Sequence, residues 1–466
     1  MKKRNLKSLS NVAAVKCRFL LVLSCLVLSI GPACRVNAGW EQVSEIQSRI
    51  NAPKFPDRDF KITDYGAVGD GQTDCTEAFK KAISAANEAG GGRVVVDTGS
   101  FLTGAIHLKS NVNLYVSDGA AIKFSVDQNK YLPVVFTRFE GTECMNYSTL
   151  VYAYEQENIA ITGKGTLDGQ AGYENWWGWT KTAGNDIKEL RNHGEVNVPV
   201  EERAFGAGRK LRPNMIQPYK CKNVLIEDVT IKNSPMWHIH PVLSTNITVK
   251  NVKVIGHGPN NDGCNPESCK DVLIEGCYFD TGDDCIAIKS GRNNDGRRVN
   301  VASENIIIRN CEMKDGHGGV VMGSEMTGGV RNVFAENCTM DSPNLDRALR
   351  IKTNSVRGGI VENIYMRNVR IGQVAEAVLK INFFYGEGDT GNFPPAVRNI
   401  NMENVTSKKS RYALFIRAYD RSPATDIHLK NCTFDNVERE NILEKVKNLT
   451  LENVKINDEV LNKVIE

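Results

Sequence analysis

The stretch Asn223-Val-Leu-Ile-Glu-Asp-Val-Thr-Ile231 alternates apolar and polar residues, bends at an acidic residue and resumes the alternation. The phrase returns as Asn246–Val254, Asp271–Phe279 and Asn305–Met313, and again from Asn332, Asn363, Asn399, Asp426 and Asn448. Successive copies start 22 to 36 residues apart. Two short strands around a polar bend, repeated at that period, describe the coils of a solenoid. Helical repeats of similar period need long apolar patterns of 3.6-residue periodicity, which are absent. The spacing therefore predicts an all-β, right-handed parallel β-helix in which inward apolar residues stack between coils and Asn residues stack at the bends.

Asn111-Val-Asn-Leu-Tyr-Val116 and Asn158-Ile-Ala-Ile-Thr-Gly163 extend the solenoid into the first half. Between Asp74 and Gly90, Phe79, Ala82, Ile83 and Ala86 fall at helical spacing, which predicts an amphipathic cap over the open end of the stack. Residues 171–213 lack the phrase and are rich in Trp, Arg and Lys, so they read as a long functional insertion. The domain expectation is one β-helix over 39–466 behind a signal peptide at 1–38.

That leader has a basic start, the apolar run Phe19–Ile30 and the small-residue site Val36-Asn37-Ala38. The run is shorter than the ~20 apolar residues of a spanning helix, so export and no membrane span are expected; lipidation at Cys25 or Cys34 is the alternative. The chain of 466 residues is 41% hydrophobic and 24% charged, which excludes disorder and collagen-like structure. Removing seven leader bases takes the formal charge from +3 to −4, against non-specific nucleic-acid binding. Of the ten remaining cysteines, Cys277, Cys311, Cys338 and Cys432 share one place in the phrase and are expected as stacked thiols, while Cys264 and Cys269 are the candidates for a local bridge. Six Asn-x-Ser/Thr sequons, at Asn146, Asn246, Asn337, Asn404, Asn431 and Asn448, mostly coincide with bends and read as structural.

Two places break the repeat with clustered polar residues: Asn260-Asn261-Asp262-Gly263 and Gly282-Asp283-Asp284-Cys285. Asp262 and Asp283 are 21 residues apart, and if that is one turn, Asp262, Asp283 and Asp284 converge on one patch. A single Asp at a bend is ordinary, as at Asp315 and Asp341. Three together repel, so one should hold a proton, and an acid beside ionised bases is what glycoside hydrolysis requires. One coil on lies Gly316-His317-Gly318, then Arg350-Ile351-Lys352, whose cations flank an inward Ile. A cation pair beside carboxylates suits a substrate that is itself an acid, such as a uronic-acid sugar. Trp237 and His238 read equally as cleft lining or packing; Arg292, Arg297 and Arg298, around Asn293-Asn-Asp-Gly296, read equally as carboxylate binders or a solvated loop.

These four ordered motifs, with the opening Ile62-Thr-Asp-Tyr-Gly-Ala-Val-Gly-Asp-Gly71, resemble glycoside hydrolase family 28, the polygalacturonases of pectin breakdown. The resemblance implies an inverting hydrolase of α-linked galacturonic acid with no cofactor and no metal. By motif, Asp283 would be the general acid, Asp262 and Asp284 would hold and deprotonate the attacking water, and His317 would tune the acid. Arg350 and Lys352 would bind the sugar carboxylate, Tyr385 would face substrate, and Asn260, Gly316 and Gly318 complete the substrate-binding motifs. One departure is visible, since the family's common Asn-Thr-Asp is Asn260-Asn261-Asp262 here. The rivals are a calcium-dependent pectate lyase on the same fold, with Asp283 and Asp284 as ligands, and a non-catalytic β-helix carbohydrate-binding protein. The expected partner is a polysaccharide and the expected state a monomer. Trp176, Trp177, Trp179, Lys181, Arg191, Arg203, Arg209, Lys210 and Arg212 in the insertion suggest a wall across the groove, with Trp rings stacking on a terminal sugar and cations holding its carboxylate, hence exo-action.

Overall fold

The computed structural model describes residues 39–466; the expected signal peptide lies outside the described residues. The first strand of each phrase pairs in parallel with its counterpart one coil away, through Lys222–Glu227, Thr245–Lys250, Lys270–Glu275, Ser303–Arg309 and onward to Val446–Ile456. The chain is a right-handed parallel β-helix. Register explains the repeat: Val224, Ile247, Val272, Ile306, Val333, Ile364, Ile400, Ile427 and Leu449 stack in one fully buried column. A one-residue slip would turn that column to solvent, so the alternation fixes the pairing.

The bend asparagines work as foreseen. Asn223, Asn246, Asn305, Asn332, Asn363 and Asn399 all have φ between 55° and 60°, a left-handed conformation that Asn tolerates better than most residues. Each side-chain amide donates to its neighbour's oxygen, as Asn246 to Asn223 (2.6 Å) and Asn363 to Asn332 (3.0 Å). An amide both donates and accepts, so the ladder has no natural end. The sequon residues Asn246, Asn337, Asn404, Asn431 and Asn448 belong to such ladders, and Asn146 instead donates to the Leu211 carbonyl.

The cap is helix α2 (Thr76–Glu88), following α1 (Gln42–Arg49) in the chain. It buries Ala78, Phe79, Ala82, Ile83 and Ala86. Helix α1 was not foreseen; its Ile46 packs on Leu273, Ile307, Phe334 and Tyr365, outward-facing apolar residues of four successive coils.

All ten described cysteines are free and buried, so the expected Cys264–Cys269 bridge is not formed. Cys264 lies in a backbone bridge column between Ile239 and Ile286, whereas the Cys269 thiol donates to the Pro241 carbonyl at 3.2 Å. The coil's geometry thus gives the two thiols separate surroundings. Cys277, Cys311, Cys338 and Cys432 are buried at equivalent places, as the phrase predicted.

A separate face of the coils is a six-stranded parallel sheet: Ile286–Ile288, Val320–Gly323, Arg347–Lys352, Ala377–Asn382, Tyr412–Arg417 and Ile442–Glu444. A hairpin of Val135–Phe139 and Thr142–Asn146 pairs with Ala204–Phe205 of the insertion. The insertion also contains helix α3 (Gly184–Glu195), whose Leu190 packs with Phe139, Phe205, Leu211 and Trp237.

Candidate active site

The carboxylates meet at the entry to the six-stranded face because four successive coils place their turns in register. The His238 amide donates to the Asp262 carbonyl (2.9 Å), the Gly263 amide to Asp284 (2.9 Å) and the Cys285 amide to Gly318 (2.8 Å). The 21-residue interval is therefore one coil. One oxygen each from Asp262, Asp283 and Asp284 lie within 4.8 Å of one another; Asp262 and Asp283 line a cleft of about 560 Å³. Asp284 is fully buried, Asp262 is 3% exposed, and the Asp283 side chain, at 18%, is the most exposed of the three.

Each acid has its own support. Asp284 is gripped by Arg350 (3.1 Å) and Lys352 (2.6 Å). Asp262 accepts from Asn265 (2.8 Å) and stands 3.6 Å from the Lys289 ammonium. Asp283 accepts from the Asp284 amide (2.9 Å) and meets His317 Nδ1 at 3.1 Å. One carboxyl is raised, as crowding demands, and it is Asp262: burial and the facing Asp283 push it up to about 8. Burial also acts to raise Asp283, but His317 and Lys352 outweigh it and hold Asp283 well below the usual carboxylate range. The His317 imidazole is raised in return, chiefly by its bond to Asp283. The facing acids Asp262 and Asp283 are thus shifted apart, the buried member toward its protonated form and the more open one toward its ionised form.

Arg350 and Lys352, expected to wait for substrate, are already engaged with Asp284, although both still line the cleft beneath the Tyr385 ring (5.7 and 5.4 Å to its centre). Asn260 lines it too, its side-chain oxygen held by Arg212 at 2.6 Å. Gly316 and Gly318 act by being small. A Cβ on Gly316 would stand 2.7 Å from the Asp283 carbonyl, and one on Gly318 would stand 2.5 Å from Val321 and 3.3 Å from the Asp284 carboxylate.

The insertion differs most from expectation. Trp176 is buried against Tyr131 and Trp179, Trp177 donates to the Ser234 carbonyl, and Lys210 lies over Trp179. The tryptophans thus glue the insertion to the coils, and none lines the cleft. Arg203 pairs with Asp295 in the interior and Arg209 with Asp186. Of the nine residues, Arg191 on α3 reaches the cleft, paired to Glu140 of the hairpin at 2.8 Å. Around Asn293–Gly296 the chain forms helix α4 (Asn293–Val299); Arg292 faces the cleft, while Arg297 covers Phe393 and Arg298 pairs with Asp295 and Glu143. Trp237 lines the cleft and His238 is buried beneath Asp262.

The family described as Glycosyl hydrolases family 28 matches residues 94–457, and a shorter match, to Rhamnogalacturonase A/epimerase, pectate lyase-like, spans 60–126. The chain belongs to glycosyl hydrolase family 28. A solved structure, a hyperthermoactive exopolygalacturonase from Thermotoga maritima, is 46% identical with a TM-score of 0.89, over 91% of this chain and 98% of that one. A probable polygalacturonase of Vitis vinifera is 30% identical over 80% of this chain and 73% of its own. An exo-poly-alpha-D-galacturonosidase of Dickeya chrysanthemi is 28% identical over 75% and 62%. This glycoside hydrolase has cleft residues that motif reading passed over: Lys289, Glu325, Arg357 and Glu387. One signal was available for Lys289, which follows Ile286-Ala-Ile288 as Lys352 follows Ile351, at the cleft side of a short strand.

Proposed function

We propose that this family 28 hydrolase cleaves α-linked galacturonic acid from the end of pectic chains, with inversion. In this reading Asp262 and Asp283 share one proton, and Asp283, the more exposed of the two, donates it to the glycosidic oxygen once it has moved there from Asp262. Asp262 and Asp284 then position and deprotonate water. The carrying observation is this trio, backed by cations: a uronate polymer brings a carboxylate to every sugar, and Arg191, Arg292, Arg350 and Lys352, each also paired with an acid of the chain, line the cleft it would enter.

The oxygens are closer than the ~6.5–9.5 Å between carboxyls usual for inversion. Burial supports inversion nonetheless: Asp284 is pinned by two cations and Asp262 by Asn265, so neither advances on the anomeric carbon as a nucleophile. Exo-action is supported by the Arg191–Glu140 contact at the cleft margin, where α3 and the hairpin meet, and by the name of the 46% identical relative. The calcium-lyase reading is disfavoured because Asp262 and Asp284 already face ammonium or guanidinium groups, which a divalent ion would have to displace.

The experiment is product analysis on de-esterified polygalacturonate, with anomers followed by NMR. Short saturated products should accumulate while viscosity falls slowly, the first anomer should be β, and Asp283→Asn should lower kcat by about 10²–10⁴ with unchanged circular dichroism. An unsaturated, chelator-sensitive product, a first α-anomer, a rapid early viscosity drop or an active Asp283→Asn would each overturn the corresponding part.

A further inference from the structure

Lys289 and Glu325 are buried charges, 2% and 7% exposed, on adjacent coils of the catalytic face. The Lys289 ammonium lies 3.1 Å from Glu325, 3.6 Å from Asp262 and 4.5 Å from the centre of the Trp237 ring. Glu325 in turn is held by Ser324 (2.8 Å) and faces Arg292 (3.5 Å). Fixing two charges away from water is costly, and hydrophobic residues of similar volume would stabilise a coil at least as well. Their place beside the shared proton supplies a use.

We propose that Lys289 and Glu325 are opposed positioning residues that set how readily the Asp262–Asp283 pair gives up its shared proton, and so where in pH the enzyme works. The proposal rests on the acid and base roles proposed above. Lys289 favours the ionised pair; Glu325 weakens that pull by drawing the ammonium toward itself and adding a negative charge behind it. The other groups facing Asp262 are Asp283 and Asp284, which favour its proton, and Lys352, which opposes it. His238, whose Nδ1 lies 2.9 Å from the Asp262 carbonyl oxygen, is lowered to about 4 by burial, which favours its neutral form. Productive chemistry needs the proton on Asp283, so a charge acting on Asp262 tunes the fraction of enzyme in that state.

The two substitutions carry opposite signs. Removing the cation by Lys289→Met should move the whole kcat/KM-against-pH profile on polygalacturonate upward by about one to three pH units. Removing the anion by the nearly isosteric Glu325→Gln should move it downward. Profiles that only lose height at the wild-type position would make both residues structural and overturn the proposal, as would two shifts of the same sign. Should Lys289→Met fail to fold, the Glu325→Gln profile decides alone, a downward shift supporting the proposal and none refuting it. Failure of the wild type to hydrolyse polygalacturonate would overturn the underlying reading as well, whereas an unshifted profile in active enzyme overturns this inference only.

Discussion

Lys352→Met separates two roles for the Arg350-Ile351-Lys352 strand. If Lys352 only awaited a substrate carboxylate, its loss would cost a charge-assisted contact of ~1.5–3 kcal/mol in binding and leave stability unchanged. In the structure its ammonium lies 2.6 Å from Asp284, whose side chain is fully buried. At an effective dielectric constant of ~20 the attraction at that distance is ~6 kcal/mol, part of which repays desolvation. Breaking such a pair from one side typically costs ~3–5 kcal/mol, because the remaining charge stays buried. Arg350, 3.1 Å from the other carboxylate oxygen, partly compensates, which favours the lower end of that range. Urea denaturation of the wild type, Lys352→Met, Asp284→Asn and the double variant forms a cycle. The single variants should each be strongly destabilised, and the double variant by clearly less than their sum. A Lys352→Met protein within ~0.5 kcal/mol of wild type, with additive energies, would refute the claim that this lysine neutralises Asp284.

Gly318→Ala should lower both stability and kcat, since its Cβ would stand 2.5 Å from Val321 and press toward the Asp284 carboxylate, an overpacking cost of ~1–3 kcal/mol measurable by thermal melting. His317→Asn tests the imidazole's bond to Asp283. Because the folded His317 is raised above 6.5, its contribution is complete below that pH and is lost as pH rises through the folded value, so the melting-temperature gap between wild type and variant should narrow as pH is taken upward from below 6.5. A gap constant across that range would show that the imidazole's charge does not matter.

The solenoid is legible in the amino-acid order alone, because its information is local and repeated. Apolar residues at the phase of Val224 and Ile247, and Asn at each bend, specify a strand, a turn and a stacking partner that is simply the next copy. The same order determined that Asp262, Asp283, Asp284, His317, Arg350 and Lys352 meet, since one coil converts a known residue interval into a neighbour.

How those charges divide their work depends on contacts that form in the folded chain. Which carboxyl is raised depends on burial and on the facing Asp283, acting against the pull of Lys289, which stands 3.6 Å from Asp262. That Lys352 binds Asp284 depends on an ammonium-to-carboxylate distance across two coils. The insertion lacks the repeat that made the rest legible, so its tryptophans could be read as sugar platforms when they are packing against Tyr131, Tyr147 and the coil beneath. Periodicity fixes where a backbone goes; the direction of a lone aromatic ring, and the partner of a lone charge, are settled by whatever the remaining chain places within a few ångströms of it.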